Sequence, residues 1–126
     1  MYFPIGDIHG EYNATARLYE KIVDLVEGGI DLAFGGTVVF LGDYIDRGKD
    51  SRRVLDFLMG LKDTDKMKHH FLMGNHEEFM LHCRFNPEDI ETHNLWLHHG
   101  GVQTLQAFGA DLYDLHNGAL DKYIDW

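Results

Sequence analysis

Apolar positions along this chain alternate between two periods. Tyr2 to Ile5 is a short extended run ended by Gly6. Ala14, Leu18, Ile22, Leu25 and Val26 then recur at helical spacing, which predicts a helix from about Glu11 to Glu27, stopped by Gly28-Gly29. Thr37-Val38-Val39-Phe40-Leu41 is continuous, β-branched and closed by Gly42, the pattern of a strand buried on both faces. Val54, Leu55, Leu58 and Leu61 share one face of a second helix, from Ser51 to Leu61. His70-Phe71-Leu72-Met73 reads as a third strand ended by Gly74, and Glu77 to Arg84 is helical again.

Strands and helices in strict alternation predict an α/β fold, β-α-β-α-β, with parallel strands joined by right-handed crossovers. In such sheets ligands bind outside the carboxyl ends of the strands. Pro4 has no amide to donate, so it is expected at the start of its strand or at a bulge. Beyond Arg84 the pattern weakens. Asn86-Pro87-Glu88-Asp89 reads as a turn into a helix with Pro87 in its first turn, Gly100-Gly101 breaks the chain, and Val102 to Phe108 is a short amphipathic stretch. With no repeat, low-complexity stretch or linker, 126 residues are expected to form one domain, 1–126.

Charge narrows the function. A net charge of -10 disfavours nucleic acid as a partner, because nothing here could neutralise a run of phosphates. It would also repel an anionic substrate, so a site that handles phosphate needs cations to reverse the local sign. No apolar run approaches the roughly 20 residues of a membrane span, and no basic region precedes Tyr2 to Ile5. No membrane partner and a cytoplasmic location are the expectation. Cys83 is the only cysteine, which excludes a disulfide framework and a cysteine-rich zinc site; it is expected as a small buried apolar residue.

Three glycine-bounded motifs stand at the three strand ends: Gly6-Asp7-Ile8-His9-Gly10, Gly42-Asp43-Tyr44-Ile45-Asp46-Arg47-Gly48 and Gly74-Asn75-His76-Glu77. Asp7 and His9 lie two apart, so a carboxylate and an imidazole can face one cation; the plain alternative is a helix-capping Asp beside a surface His. Asp43, Asp46 and Arg47 read either as an exposed turn with a local ion pair or as a phosphate site whose guanidinium forks two oxygens. Asn75 reads as a helix cap or as a neutral oxygen ligand, with His76 beside it placed to give a proton to a leaving group. Glu77 reads as a charge that complements the helix dipole.

Taken together and in this order, the motifs resemble the metallophosphatase superfamily and, within it, the phosphoprotein phosphatase family. The resemblance covers roughly residues 2 to 109. Trp96-Leu97 and Gly100-Gly101-Val102-Gln103-Thr104-Leu105 look like its bacterial and phage branch, related to symmetrical dinucleoside tetraphosphatases. It implies the N-terminal half of a calcineurin-like α/β/β/α sandwich. It implies two divalent metal ions, manganese foremost, with iron or zinc as alternatives. Asp7 and His9 would bind the first metal, Asp43 would bridge both, and Asn75 would bind the second. His76, paired with Asp46, would be the proton donor, and Arg47 would contact phosphate. The implied reaction is in-line hydrolysis by a hydroxide activated between two cations roughly 3.5–4 Å apart, without a phosphoenzyme.

The implied substrates are phosphoserine and phosphothreonine in proteins or small phosphoesters. Dinucleoside polyphosphate hydrolysis is the alternative, and a catalytically incomplete metal- and phosphate-binding fragment is another. The family draws two further histidine ligands, and usually another phosphate-binding Arg, from a second half. This chain ends at Trp126, so C-terminal truncation is expected, with an uncovered sheet face open to self-association. His69, His70, His98 and His99 are expected to be structural or superficial. Met73 stands where many members carry Arg, and is expected to pack in the core.

Overall fold

The computed structural model describes residues 1–28 and 35–124. Gly29 and Trp126, invoked above as a helix stop and as the chain end, lie outside the described residues. Three parallel strands, β1 (Tyr2–Ile5), β2 (Gly36–Phe40) and β3 (Met67–Phe71), lie side by side in that order. Helix α1 (Tyr12–Glu27) connects the first pair and α2 (Ser51–Gly60) the second. Each step moves the chain the same way across the sheet, so two right-handed crossovers put both helices on one face. Ile5, Val38, Phe40 and Met67 meet Ile22, Val26, Val54 and Leu58 there in a single buried core.

The other face differs from the expectation for Thr37 to Leu41. Thr37 and Val39 are only half-buried, Tyr2, Pro4, Lys68 and His70 are exposed, and Leu41 is 48% exposed. Side chains alternate across a strand, so helices on one side bury only every second residue of the run. Among the described residues nothing covers the second face.

The third strand is also displaced from the expected His70 to Met73. Its limits are set by pairing with β2, which runs from Gly36↔Met67 to Phe40↔Phe71. Leu72 adds one last bond, donating its amide to Phe40 O at 2.8 Å, before the chain leaves the sheet. Met73 is 64% exposed rather than a core residue. Pro4 sits inside β1, at neither a start nor a bulge. Met1 O and Ile5 O accept from β2, so the odd residues of β1 direct their polar groups inward and the Pro4 nitrogen faces the free edge.

The rest of the described chain is helical: α3 (Asn75–Phe85), α4 (Ile90–Trp96), a kinked π-type turn over Leu97–Gly101, α5 (Val102–Phe108), α6 (Leu112–His116) and a 3₁₀ turn over Leu120–Lys122. Asp89 caps α4 by accepting from Thr92 N, so Pro87 lies ahead of the helix and not in its first turn. Trp96, Leu105, Leu115 and Leu120 are buried beneath this layer. Cys83 is buried with them, and burial pushes its thiol up to about 12, which makes it unreactive. No helix among the described residues is long and apolar enough to cross a membrane.

Candidate metal and phosphate site

All three motifs leave the sheet at the carboxyl ends of its strands, and the backbone there is unusual. Asp7 (φ 51°), His9 (φ 42°), Asp43 (φ 55°), Asp46 (φ 73°) and Arg47 (φ 65°) are the non-glycine residues in left-handed conformations among those described. All five belong to the motifs. Each such residue costs about 1–3 kcal/mol and persists only where its surroundings hold it. Here the loops hold each other. His9 N donates to Asp43 O at 2.9 Å, Gly10 N to Tyr44 O at 2.9 Å, Gly48 N to His9 O at 3.0 Å and Arg47 N to Gly100 O at 3.1 Å. A Cβ at Gly74 would overlap the carboxylate and amide of Asp43, so only glycine lets the third motif approach the second.

Within this frame Asp7, His9 and Asp43 offer ligand atoms that all lie within 4.8 Å of one another. His9 Nδ1 is 2.9 Å from Ile45 O. A carbonyl only accepts, so Nδ1 carries the proton and the lone pair is on Nε2, the tautomer a metal requires. Two carboxylates and one imidazole, with no thiolate, fit a divalent cation of hard or borderline character. Asn75 opens α3 beside them, and its neighbour His76 donates its amide to Asp43 Oδ1 at 3.3 Å.

Beneath the carboxylates lies a closed polar pair. His76 Nδ1 is 2.7 Å from Asp46 Oδ2, and both residues are buried. Trp96 Nε1 donates to the same oxygen at 2.8 Å, and Thr104 Oγ1 donates to Asp46 Oδ1 at 2.6 Å. Burial raises the Asp46 carboxyl above its ordinary value, while the donors from Thr104, His76 and Trp96 pull it back. The carboxylate fixes the His76 proton on Nδ1 and leaves Nε2 facing outward. Arg47, exposed, spans the two imidazoles: Nη1 is 3.2 Å from His9 Nε2 and Nη2 is 3.4 Å from His76 Nε2. A fork of N–H donors thus stands over the same opening as the candidate ligands.

Glu77, Trp96 and Thr104 are the residues that the sequence did not assign to the site. Glu77 does more than complement a dipole. Its Oε2 accepts from Asp43 N at 2.8 Å and Gly74 N at 2.9 Å, and its Oε1 from Tyr44 N at 2.8 Å and Ile45 N at 3.3 Å. One carboxylate therefore ties the second motif to the third. The signal for it was its place three residues past Gly74 at a helix start, where a Glu turns back to collect free amides. Trp96 and Thr104 carried no local signal, since only the fold brings them to Asp46. The remaining histidines stay outside the cluster. His70, His98 and His99 are exposed, and His69 binds Tyr19 and Asp63.

Residues 5–125 match the family model for calcineurin-like phosphoesterases. Two curated relatives are similar to part of the chain. The zinc-dependent endopolyphosphatase of Saccharomyces cerevisiae is 33% identical over 87 residues, which is 69% of this chain and 24% of that protein. Serine/threonine-protein phosphatase BSL2 of Arabidopsis thaliana is 32% identical over 80 residues, 64% of this chain and 8% of that protein. The chain thus spans a quarter or less of these two relatives. With the family match running almost end to end, and a parallel α/β sheet whose strand ends gather a metal-ligand cluster, the chain belongs to the calcineurin-like phosphoesterase family.

Proposed function

We propose that the protein hydrolyses phosphomonoesters in a metal-dependent reaction, with phosphoserine and phosphothreonine in proteins as the substrate class. The observation that carries this reading is the Arg47 fork, set over the outward Nε2 of His76 and beside the Asp7–His9–Asp43 cluster. Asp7, His9 and Asp43 would hold one divalent cation, and Asp43 and Asn75 a second, with manganese foremost and iron or zinc as alternatives. Bound cations would supply the charge that neutralises phosphoryl oxygens and a more acidic water.

The chain's own residues do the rest. Arg47 donates to phosphoryl oxygens and sets their orientation. His76, when protonated at Nε2, gives that proton to the leaving oxygen. Asp46 stabilises the cationic imidazole that exists before this transfer and holds its ring in place. A second reading, phosphoanhydride cleavage, is favoured by the similarity to an endopolyphosphatase and uses the same groups.

The test is hydrolysis of p-nitrophenyl phosphate, a phosphoserine peptide and polyphosphate with added manganese, by this chain and its His76→Asn and Asp43→Asn variants. We expect phosphomonoester hydrolysis that chelator and both substitutions abolish. Turnover that survives either substitution would overturn the proposal, and cleavage of polyphosphate alone would favour the second reading.

A further inference from the structure

Helix α3 carries a second feature directly beside the site. Asn75, Glu78, Phe79 and His82 are spaced i, i+3, i+4 and i+7, so they form one stripe along the helix, starting at the candidate ligand Asn75 and leading away from it. With Thr92 of α4 as the opposite wall, they line a cavity of about 280 Å³. Seven helical residues rise about 10 Å. That is the length of about three residues of extended peptide.

The trough has a definite electrostatic sign. Glu78 is exposed and has no ion-pair partner among the described residues. At the far end Asp89 takes 2.9 Å and 2.8 Å hydrogen bonds from His82 Nε2 and Thr92 Oγ1. The Thr92 amide, with these donors, pulls the Asp89 carboxyl down to about 2, so it is ionised at neutral pH. Phe79 supplies an apolar wall, backed by the His99 ring stacked on it at 6.3 Å. The Glu78 carboxylate beside the Phe79 face matches the charge and the aliphatic stem of an arginine or lysine side chain, with the Asp89 charge, held by His82 and Thr92, behind the far wall. A polyphosphate chain laid in the same trough would meet the Glu78 charge.

We infer that this trough is the subsite for a basic residue flanking the phosphorylated residue of a protein substrate, with Glu78 as the specificity-determining group. The inference rests on the phosphoprotein reading of the site and names its substrate class more closely: a phosphoserine or phosphothreonine with Arg or Lys within about three residues. The Glu78 side chain makes no hydrogen bond or ion pair to the candidate metal ligands or to His76 among the described residues, so its contribution belongs to peptide recognition.

The test uses fluorescent phosphoserine peptides in which a single Arg is moved from three residues before to three residues after the phosphoserine, in an otherwise Gln background. Their affinity for the manganese-loaded chain is read by anisotropy at low salt, beside p-nitrophenyl phosphate turnover. At least one Arg register is expected to bind about three- to fivefold tighter than the all-Gln peptide, the scale of one exposed ion pair. Glu78→Gln should erase that preference and Glu78→Lys invert it, with p-nitrophenyl phosphate turnover unchanged. Equal affinity in every register, or a preference that survives Glu78→Lys, would overturn the inference. Cleavage without register preference would leave the phosphatase reading standing and sink the subsite. Register preference without any cleavage would do the reverse.

Discussion

Asp46 Oδ2 and His76 Nδ1 face each other at 2.7 Å, and both side chains are buried. The pair fixes which imidazole nitrogen is presented at the site, because the inner one is committed to the carboxylate. An Asp46→Asn substitution keeps the shape and removes the charge. We expect p-nitrophenyl phosphate turnover to fall by about 100-fold or more, with the alkaline limb of the pH–rate profile moved to lower pH. A variant with unchanged turnover and profile would show that the pair is structural.

Glu77 offers a contrast between neighbours. Its four backbone donors come from two loops, and Gln would present an N–H₂ where two amides already point. Glu77→Gln should lower unfolding stability by about 3 kcal/mol in urea denaturation. Glu78→Gln, on the exposed stripe one residue on, should stay within about 0.5 kcal/mol.

Glycines make a similar contrast. Gly100 lies at φ 108°, and a Cβ there would run into the Arg47 backbone, whereas one on Gly60 meets nothing within 4 Å. Gly100→Ala should destabilise the protein by about 2 kcal/mol or more and raise KM for p-nitrophenyl phosphate by displacing Arg47. Gly60→Ala, at the end of α2, should be neutral or stabilising by about 0.5–1 kcal/mol, with kinetics unchanged.

Acid sensitivity has an identifiable source in Asp89. The amide of Thr92 and the side chains of His82 and Thr92 lower its folded pKa to about 2, against 3.8 for the free group. A depressed acid stabilises the fold above its unfolded value, and that contribution disappears as pH falls through the folded value. Thermal unfolding between pH 5 and 2 should therefore show a steeper loss of melting temperature in the parent than in Asp89→Asn, which keeps a capping oxygen and has no proton to take up. Parallel curves would remove Asp89 from the account.

The strand-helix alternation and the three motifs were legible because glycine and ligand-type side chains recur at the ends of apolar runs. Contacts that depend on distant pairing were not. The limits of β3 follow from its register against β2, not from its own composition, and Met73 is exposed because the chain has already left the sheet to place Asn75. The apolar run of β2 hid the fact that, among the described residues, only one of its faces is covered. Trp96 and Thr104 reach Asp46 across 50 and 58 residues of sequence, a separation that no local pattern encodes.

The left-handed loops bear on what the site could become. Asparagine and glycine tolerate that backbone at least as well as aspartate does, whereas valine, isoleucine and threonine are penalised there before any chemistry is considered. At Asp7, Asp43 and Asp46 an Asn substitution therefore leaves the turn in place, while a β-branched one changes the loop as well. The accessible neighbours of this site in sequence space are the few residues that fit its turns. A lineage that abandoned the chemistry could shed the carboxylates one by one, yet would have to keep the small or amide-bearing side chains that let the three loops interlock.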